Sequence, residues 1–351
     1  MEGTYGIVLA GGRGTRFWPR SRKALPKQCL AFEGERTLVQ RTVDRLAGEV
    51  PPERILVLTG ADMVDLVRQQ LPEVPAGNFL VEPRGRNTAP CLAWAAIEVQ
   101  KRGGQAMVVL PSDHAIGDEQ EFRRVVRAGV QAARESGAIV LLGQQPDHPH
   151  TGYGYIQASD PARNASGEPF FRVARFLEKP DRATAERLIA DPNMLWNGGM
   201  FIFKTSTLLD AFATHMPRTF AAVERLRTGA TIDEVWDETE ATSIDYGILE
   251  HETNLLVAKC AFGWSDLGSW PTMDALLTRS EVGVSRALGA VGIDSHDNIV
   301  DAPDKWVALL GVSDLVVVDT GDVLLVCRKD RSQNVGDLVR ELESRGLDAL
   351  L

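Results

Sequence analysis

The chain has 351 residues, 44% hydrophobic and 25% charged, which is ordinary for a globular protein and long for one core, so a large domain with a smaller one is expected. Its 38 basic and 48 acidic residues leave a net charge of −10, which argues against a nucleic-acid partner and the basic face it would need. No apolar run reaches membrane-spanning length, the first one comes too early for a signal peptide, and Cys29, Cys91, Cys260 and Cys327 show no paired spacing; no membrane partner, disulfide framework or zinc site is expected, and a reducing cytoplasmic setting fits.

The first predicted strand, YGIVLA, runs straight into LAGGRGTRFWPRSRKALPKQ (residues 9–28), which holds three glycines, four arginines, two lysines and two prolines. Apolar runs RILVLT, NFLVE, AMVVLP and AIVLLG then alternate with amphipathic stretches TLVQRTVDRLAG, DMVDLVRQQL, TAPCLAWAAIEVQKRG and EQEFRRVVRAGVQAAR. Strands that are apolar throughout and alternate with helices predict a doubly wound α/β domain with a mixed, mainly parallel sheet, whose ligands sit beyond the carboxyl ends of the strands. From residue 151 the pattern loosens: GYGYIQA, FFRVARFLE, GMFIF and NLLVAKCAF read as strands of a more mixed sheet. After WSDLGSW, short β runs NIVDA, KWVALLG, DLVVVD and DVLLVC, parted by Asp, Gly and Pro, lead to an amphipathic helix at VGDLVRELESRG. The expected division is therefore 1–280 for the α/β domain and 281–351 for a small β-rich C-terminal domain with a terminal helix.

The glycine-arginine loop is the most informative segment. Glycines there let backbone N–H groups approach an anion that a Cβ would block, while Thr15, Arg16, Arg22 and Lys27 add side-chain donors. No G-x-G-x-x-G and no G-K-[ST] occurs, so neither a dinucleotide fingerprint nor a Walker A loop is present. Pro19 and Pro26 keep the segment out of helix. Such a cationic island in an acidic chain points to a triphosphate, bound through Leu9, Ala10, Gly11, Gly12, Gly14 and Thr15. Asp113, just after AMVVLP, stands at a strand's carboxyl end, where this architecture places active-site residues.

GGRGTRFWPRSRKALPKQ resembles the signature of sugar-nucleotide pyrophosphorylases, and the W-P, SR and PKQ spellings are similar to those of mannose-1-phosphate guanylyltransferases. VEPRGRNTAP, LPSDH, TGYGYI, FLEKPD, WNGGMFIF and WSDLGSW, and LVVVDTGDVLLVCRKDRSQNV in the tail, extend the resemblance over nearly the whole chain. Members with a fused isomerase domain are longer, and none is expected within these 351 residues. The resemblance implies a Rossmann-like nucleotidyltransferase fold and an enzyme that converts GTP and mannose 1-phosphate to GDP-mannose and pyrophosphate with Mg²⁺. Alternatives are the same chemistry on another sugar phosphate or nucleotide, or a non-catalytic sugar-nucleotide-binding regulatory subunit.

On that reading the sugar phosphate attacks the α-phosphorus, no general base is needed, and cations must offset the repulsion between two anions. Arg16 and Lys27 suit the β- and γ-phosphates, and Lys179 the incoming sugar phosphate. The resemblance assigns Asp113 and Asp266 to the metal, although either alone reads as a turn or cap residue. Glu82, ending NFLVE, offers a carboxylate to the N1–H and N2–H₂ donors of guanine and would reject adenine; Arg86, Asn87 and Thr88 would support the same nucleotide. Glu178, Asn197 and the backbone at Gly152 are candidates for the sugar hydroxyls. Gly198 stands where the family usually has serine, so a hydroxyl contact to the sugar is expected to be missing. A homodimer is expected, with the β-rich tail packing or joining subunits.

Overall fold

Residues 1–32, 34–162, 167–275, 278–280 and 282–351 are described by a computed structural model of the chain. In the first half, the apolar runs become strands β1 (Thr4–Leu9), β2 (Ile55–Gly60), β3 (Phe79–Glu82), β4 (Ala106–Pro111) and the two-residue β5 (Ala115–Ile116). β6 (Ile139–Gln144), β7 (Gly154–Ala162), β8 (Phe170–Glu178), β9 (Met194–Lys204), β10 (Leu255–Cys260) and the short β11 (Trp264–Ser265) follow. Helices α1 (Leu38–Asp44), α2 (Val64–Gln70), α3 (Thr88–Lys101), α4 (Glu119–Ser136), α5 (Arg182–Leu188), α6 (Thr205–His215), α7 (Pro217–Glu224) and α8 (Ile232–Trp236) lie between them.

Contacts divide the chain into two units: residues 1–11, 42–112 and 116–264 form the first, and residues 12–41, 113–115 and 265–351 the second. Unit 1 is built on a nine-stranded sheet of order β3-β2-β1-β4-β9-β6-β10-β8-β7. Its β3-β2-β1-β4 half is parallel, while β9 runs antiparallel to both β4 and β6, which makes the sheet mixed where the sequence pattern loosens. The central strands are buried on both faces because helices cover both: Ile7, Val8, Leu56, Val57, Val108 and Val109 have no more than 1% exposure. α3 is capped by Asn87, whose Oδ1 accepts from Thr88 N at 2.9 Å, and is buried along nearly its whole length. α4 starts at Asp118, which accepts from Glu121 N, and ends at the left-handed Gly137; its buried stripe includes Phe122, Val125, Val126 and Val130.

Unit 2 holds a five-stranded sheet, β12 (Thr278–Ser280), β13 (Gly283–Ile293), β14 (Asn298–Leu310), β15 (Leu315–Asp319) and β16 (Leu324–Arg328), followed by α9 (Val335–Ser344). The sheet is parallel from β13 to β15 and antiparallel at β12 and β16. Its core joins Phe17, Trp18, Leu30 and Phe32 of the signature loop to Trp270, Ile299, Val316, Val318, Leu325 and Val335. Phe17 lies 5.4 Å from Phe32 and 5.2 Å from Trp270, ring centroid to ring centroid. The aromatic side chains of the loop bury on the tail strands, which is why the loop falls in the same compact unit as the tail. Glu281, at the expected cut after residue 280, lies outside the described residues.

Candidate active site

In unit 2 the loop after β1 folds back on itself around Gly14. Gly14 has φ +66°, and a Cβ there would lie 2.3 Å from Lys27 Cβ, so only glycine lets the two backbones meet. Gly11 and Gly12 do not share that left-handed conformation. Thr15–Phe17 form a 3₁₀ turn whose first bond runs from Phe17 N to Gly14 O at 2.9 Å. Gly14, Thr15, Arg16, Phe17, Lys27, Asp113, His114, Asp266 and Gly268 line one cavity of about 310 Å³. Arg16 is exposed at its rim, with no ion pair among the described residues.

Lys27 is placed differently from a free phosphate clamp. Its side chain is 4% exposed, and its ammonium donates to Asp113 Oδ2 at 2.8 Å and to the Asp266 carbonyl at 2.7 Å. Burial pushes the Asp113 carboxyl up, but the Lys27 ammonium and His114 outweigh it and hold Asp113 below the usual aspartate range. Asp266 sits in a tight turn, its Oδ1 accepting from Gly268 N at 2.9 Å, and Leu267 beside it has φ +45°. The expected donor Arg22 is not aimed at a ligand. It donates to Pro19 O, Leu350 O, Thr320 and Asp322, and so staples the loop to the tail.

In unit 1, Glu82 ends β3 with 9% exposure, and burial alone raises its carboxyl to about 7. A Cβ at Gly11, after β1, would lie 3.6 Å from Glu82 Oε1, so the strand ends bring the carboxylate against bare backbone. Leu9 is half-buried and Ala10 is pinned by Ala10 N to Leu58 O and by Thr59 Oγ1 to Ala10 O. Arg86, expected on the nucleotide, is a strut instead: it donates to the backbone oxygens of Asp237 and Thr239 and pairs with the Asp237 carboxylate. Asn87 caps α3, and Thr88 Oγ1 accepts from Ile244 N at 3.0 Å.

The sugar candidates also lie in unit 1. Glu178 and Asn197 flank Gly154, where a Cβ would be 2.4 Å from Glu178 Oε2 and 3.1 Å from Asn197 Cβ. Glu178 Oε2 is buried without a hydrogen-bond partner, while Oε1 pairs with Lys179 Nζ at 3.0 Å. Lys179 has φ +46°, unusual for a residue with a side chain, and its side chain is half exposed. Burial pulls that ammonium down, but Glu178 outweighs it and raises its proton affinity. The Gly152 N–H is engaged by His150 Nδ1 at 3.1 Å, so that backbone donor is used internally. Gly198 does not face Glu178: a Cβ there would meet Leu142 O at 2.9 Å and Gln144 Nε2 at 3.4 Å. A Cβ at 198 would press on the β6 backbone, so a serine there would need a local shift.

Sequence reasoning did not single out Asp245, Glu250 or Gly154. Asp245 accepts from Asn197 Nδ2 at 2.8 Å, and Glu250 Oε1 accepts from Glu178 N at 3.0 Å. Both lie in SIDYGILE, where Asp245–Leu249 form a π-helical turn; such turns recur at functional sites, but nothing in the local pattern announces one.

The nucleotidyl transferase family model matches residues 5–280, and the model of the mannose-phosphate isomerase/GMP-like β-helix domain matches residues 289–342. The chain is 35% identical to the mannose-1-phosphate guanylyltransferase ManC of Salmonella typhimurium, over 97% of this chain and 74% of that one. It is 35% identical to the alginate biosynthesis protein AlgA of Pseudomonas aeruginosa, over 97% of this chain and 72% of that one. A solved structure named mannose-1-phosphate geranyltransferase, from Thermus thermophilus, superposes with a TM-score of 0.88 at 37% identity, covering 97% of this chain and 99% of that one.

Proposed function

Because the chain belongs to the nucleotidyl transferase family, among the mannose-1-phosphate guanylyltransferases, we propose that it transfers GMP from GTP to mannose 1-phosphate, giving GDP-mannose and pyrophosphate. The observation that carries this reading is the cavity of about 310 Å³ behind the glycine-arginine turn, lined by Arg16, Lys27, Asp113 and Asp266. Cations and carboxylates together at a bare-backbone turn suit a metal-bound polyphosphate better than any neutral ligand.

A phosphate oxygen of the sugar attacks the α-phosphorus, a new P–O bond forms, and the bond to the bridging β-phosphate oxygen breaks with its electron pair leaving on pyrophosphate. The nucleophile is already an anion, so the protein's task is charge and alignment. Arg16 offsets charge on the β- and γ-phosphates. Lys27, held between Asp113 and the Asp266 carbonyl, keeps the acidic cavity close to neutral and fixes Asp113. Lys179 takes the sugar phosphate, Glu82 reads guanine, and Glu178 and Asn197 take the sugar hydroxyls.

The two carboxylates fit Mg²⁺, which takes one or two of them and completes its shell with phosphate oxygens and water. Asp113 and Asp266 would hold the ion, and bound there it would neutralise charge on the triphosphate. We further read the enzyme as cytoplasmic, free of nucleic acid and a homodimer. No described helix is long and apolar enough to cross a membrane, and unit 2 exposes Ile293, Trp306 and Leu310 at 64%, 72% and 74%.

The test is pyrophosphate release from GTP, ATP and dTTP, each with mannose 1-phosphate and glucose 1-phosphate, with Mg²⁺ and after chelation. The expected result is turnover confined to GTP with mannose 1-phosphate and abolished by chelation. Metal-independent turnover would remove Mg²⁺; binding of GDP-mannose without any turnover would make the chain a non-catalytic subunit.

A further inference from the structure

The π-helical turn at Asp245–Leu249 places a carboxylate behind both sugar candidates of unit 1. Asp245 Oδ1 accepts from Asn197 Nδ2 at 2.8 Å, and Asn197 Oδ1 accepts from Gly199 N at 3.1 Å. These two bonds agree on one orientation of the amide, because an N–H must face the carboxylate and an oxygen must face the backbone N–H. One Nδ2 proton and one Oδ1 lone pair remain for a ligand. Across Gly154, Glu178 Oε2 is buried with no partner, an arrangement that costs stability unless something occupies it.

Resting on the function proposed above, we infer that Asp245 is a positioning residue for the sugar: it locks the Asn197 amide so that Asn197 and Glu178 Oε2 address neighbouring hydroxyls of the hexose. The carboxylate does not itself reach the reacting atoms. It sets which way Asn197 donates, and its charge bears on Glu178. Around this pair the charged and titratable groups are Lys179, Glu250 and Tyr246. Burial raises Glu178, and the Asp245 charge raises it further; Asp245 is itself raised by burial. The two carboxylates raise each other's proton affinity, so the pH dependence of sugar affinity set by Glu178 carries a contribution from the Asp245 charge.

The experiment compares wild type, Asp245→Ala and Asp245→Asn for KM and kcat with GTP and mannose 1-phosphate across pH 6–9, and follows the Asn197 side-chain amide by ¹⁵N NMR. Asp245→Ala is expected to raise the KM for mannose 1-phosphate about ten- to hundredfold, the range for losing a hydrogen bond to a charged group, while the KM for GTP moves little. Asp245→Asn keeps an acceptor, so it recovers most of that loss. Removing one like charge shifts the midpoint of the sugar's pH profile downward. In both forms the Asn197 amide resonance moves, and only in the alanine form does it lose its hydrogen-bonded shift. Equal changes in both KM values, or an unmoved midpoint in Asp245→Asn, would overturn the assignment. If wild type instead turns over another sugar phosphate, the substrate above is wrong, and the same three-way comparison on that sugar decides Asp245.

Discussion

At Glu82 burial and recognition pull in opposite directions. On the function proposed above, guanine needs the carboxylate, because its N1–H and N2–H₂ both donate, yet burial has moved the group from its ordinary 4.5 to about 7. Guanosine, which carries no titrating phosphate, is therefore expected to bind more tightly as pH rises from 6 to 8, with a midpoint near that value. Glu82→Gln should bind it weakly and without that slope, and should lose the preference for GTP over ATP in kcat/KM. The same burial affects folding. A proton held more tightly by the folded chain favours folding below the ordinary glutamate range, and that contribution is lost as pH rises through the raised value. At pH 8 the ionised group costs about 3 kcal/mol. Urea unfolding should find Glu82→Gln more stable than wild type at pH 8 and no better near pH 5; a difference independent of pH would contradict the account. Glu82 was legible in the sequence because it ends an apolar run, whereas Asp245 was not. Its partner Asn197 is 48 residues away, and an Asp ahead of Tyr-Gly reads as any surface turn.

The strands of unit 1 were readable for a simple reason: parallel strands covered on both faces must be apolar throughout, and YGIVLA, RILVLT and AMVVLP have no other way to satisfy burial. The tail gave short β runs but not their pairing, since register between parallel strands has no local turn to fix it. That register produces an unusual piece of surface. β13 leaves β12 after Ser285, and β14 leaves β15 after Asp301, yet Gly289–Ile293 still pairs with Trp306–Leu310. This ribbon of two parallel strands has both edges open among the described residues. Val291, Ile293, Trp306 and Leu310 share its outer face by register and are 46–74% exposed. Two strands with an uncovered apolar face are marginal alone, and on the homodimer proposed above a second copy of the same face, related by a two-fold axis, would cover it. Ile293→Lys combined with Leu310→Lys is expected to convert a dimer to a folded monomer, read by light scattering with circular dichroism as the check on folding. A wild type that is monomeric, or a doubly substituted protein that stays dimeric, would rule out this face.

Over the whole chain the least foreseeable link is the one inside unit 2 between the signature loop and the tail, which has no catalytic motif of its own. Asp301 on β14 is 1% exposed and takes two bidentate guanidinium groups: Arg20 of the loop at 2.7 and 3.0 Å, and Arg286 of β13 at 2.7 and 2.9 Å. Trp18 Nε1 adds a bond to Leu350 O at 2.7 Å, and Arg22 the staple to Thr320 and Asp322. A loop with this many cations would otherwise spread by self-repulsion. The tail opposes that with one buried carboxylate and a shared aromatic core, and in doing so preorganises the turn at Gly14. Removing the carboxylate strands two cations. The cost is about 3 kcal/mol, the low end for a broken buried pair, since both arginines keep some contact with water. Asp301→Ala should therefore unfold at lower urea and lose at least about tenfold in kcat/KM for GTP, because loop alignment and not base recognition is disturbed. Guanosine binding at Glu82 should stay at the wild-type level, since no phosphate is involved. Were guanosine binding to fall in parallel with GTP use, the substitution would be acting through general unfolding, and the tail would have no specific hold on the phosphate loop.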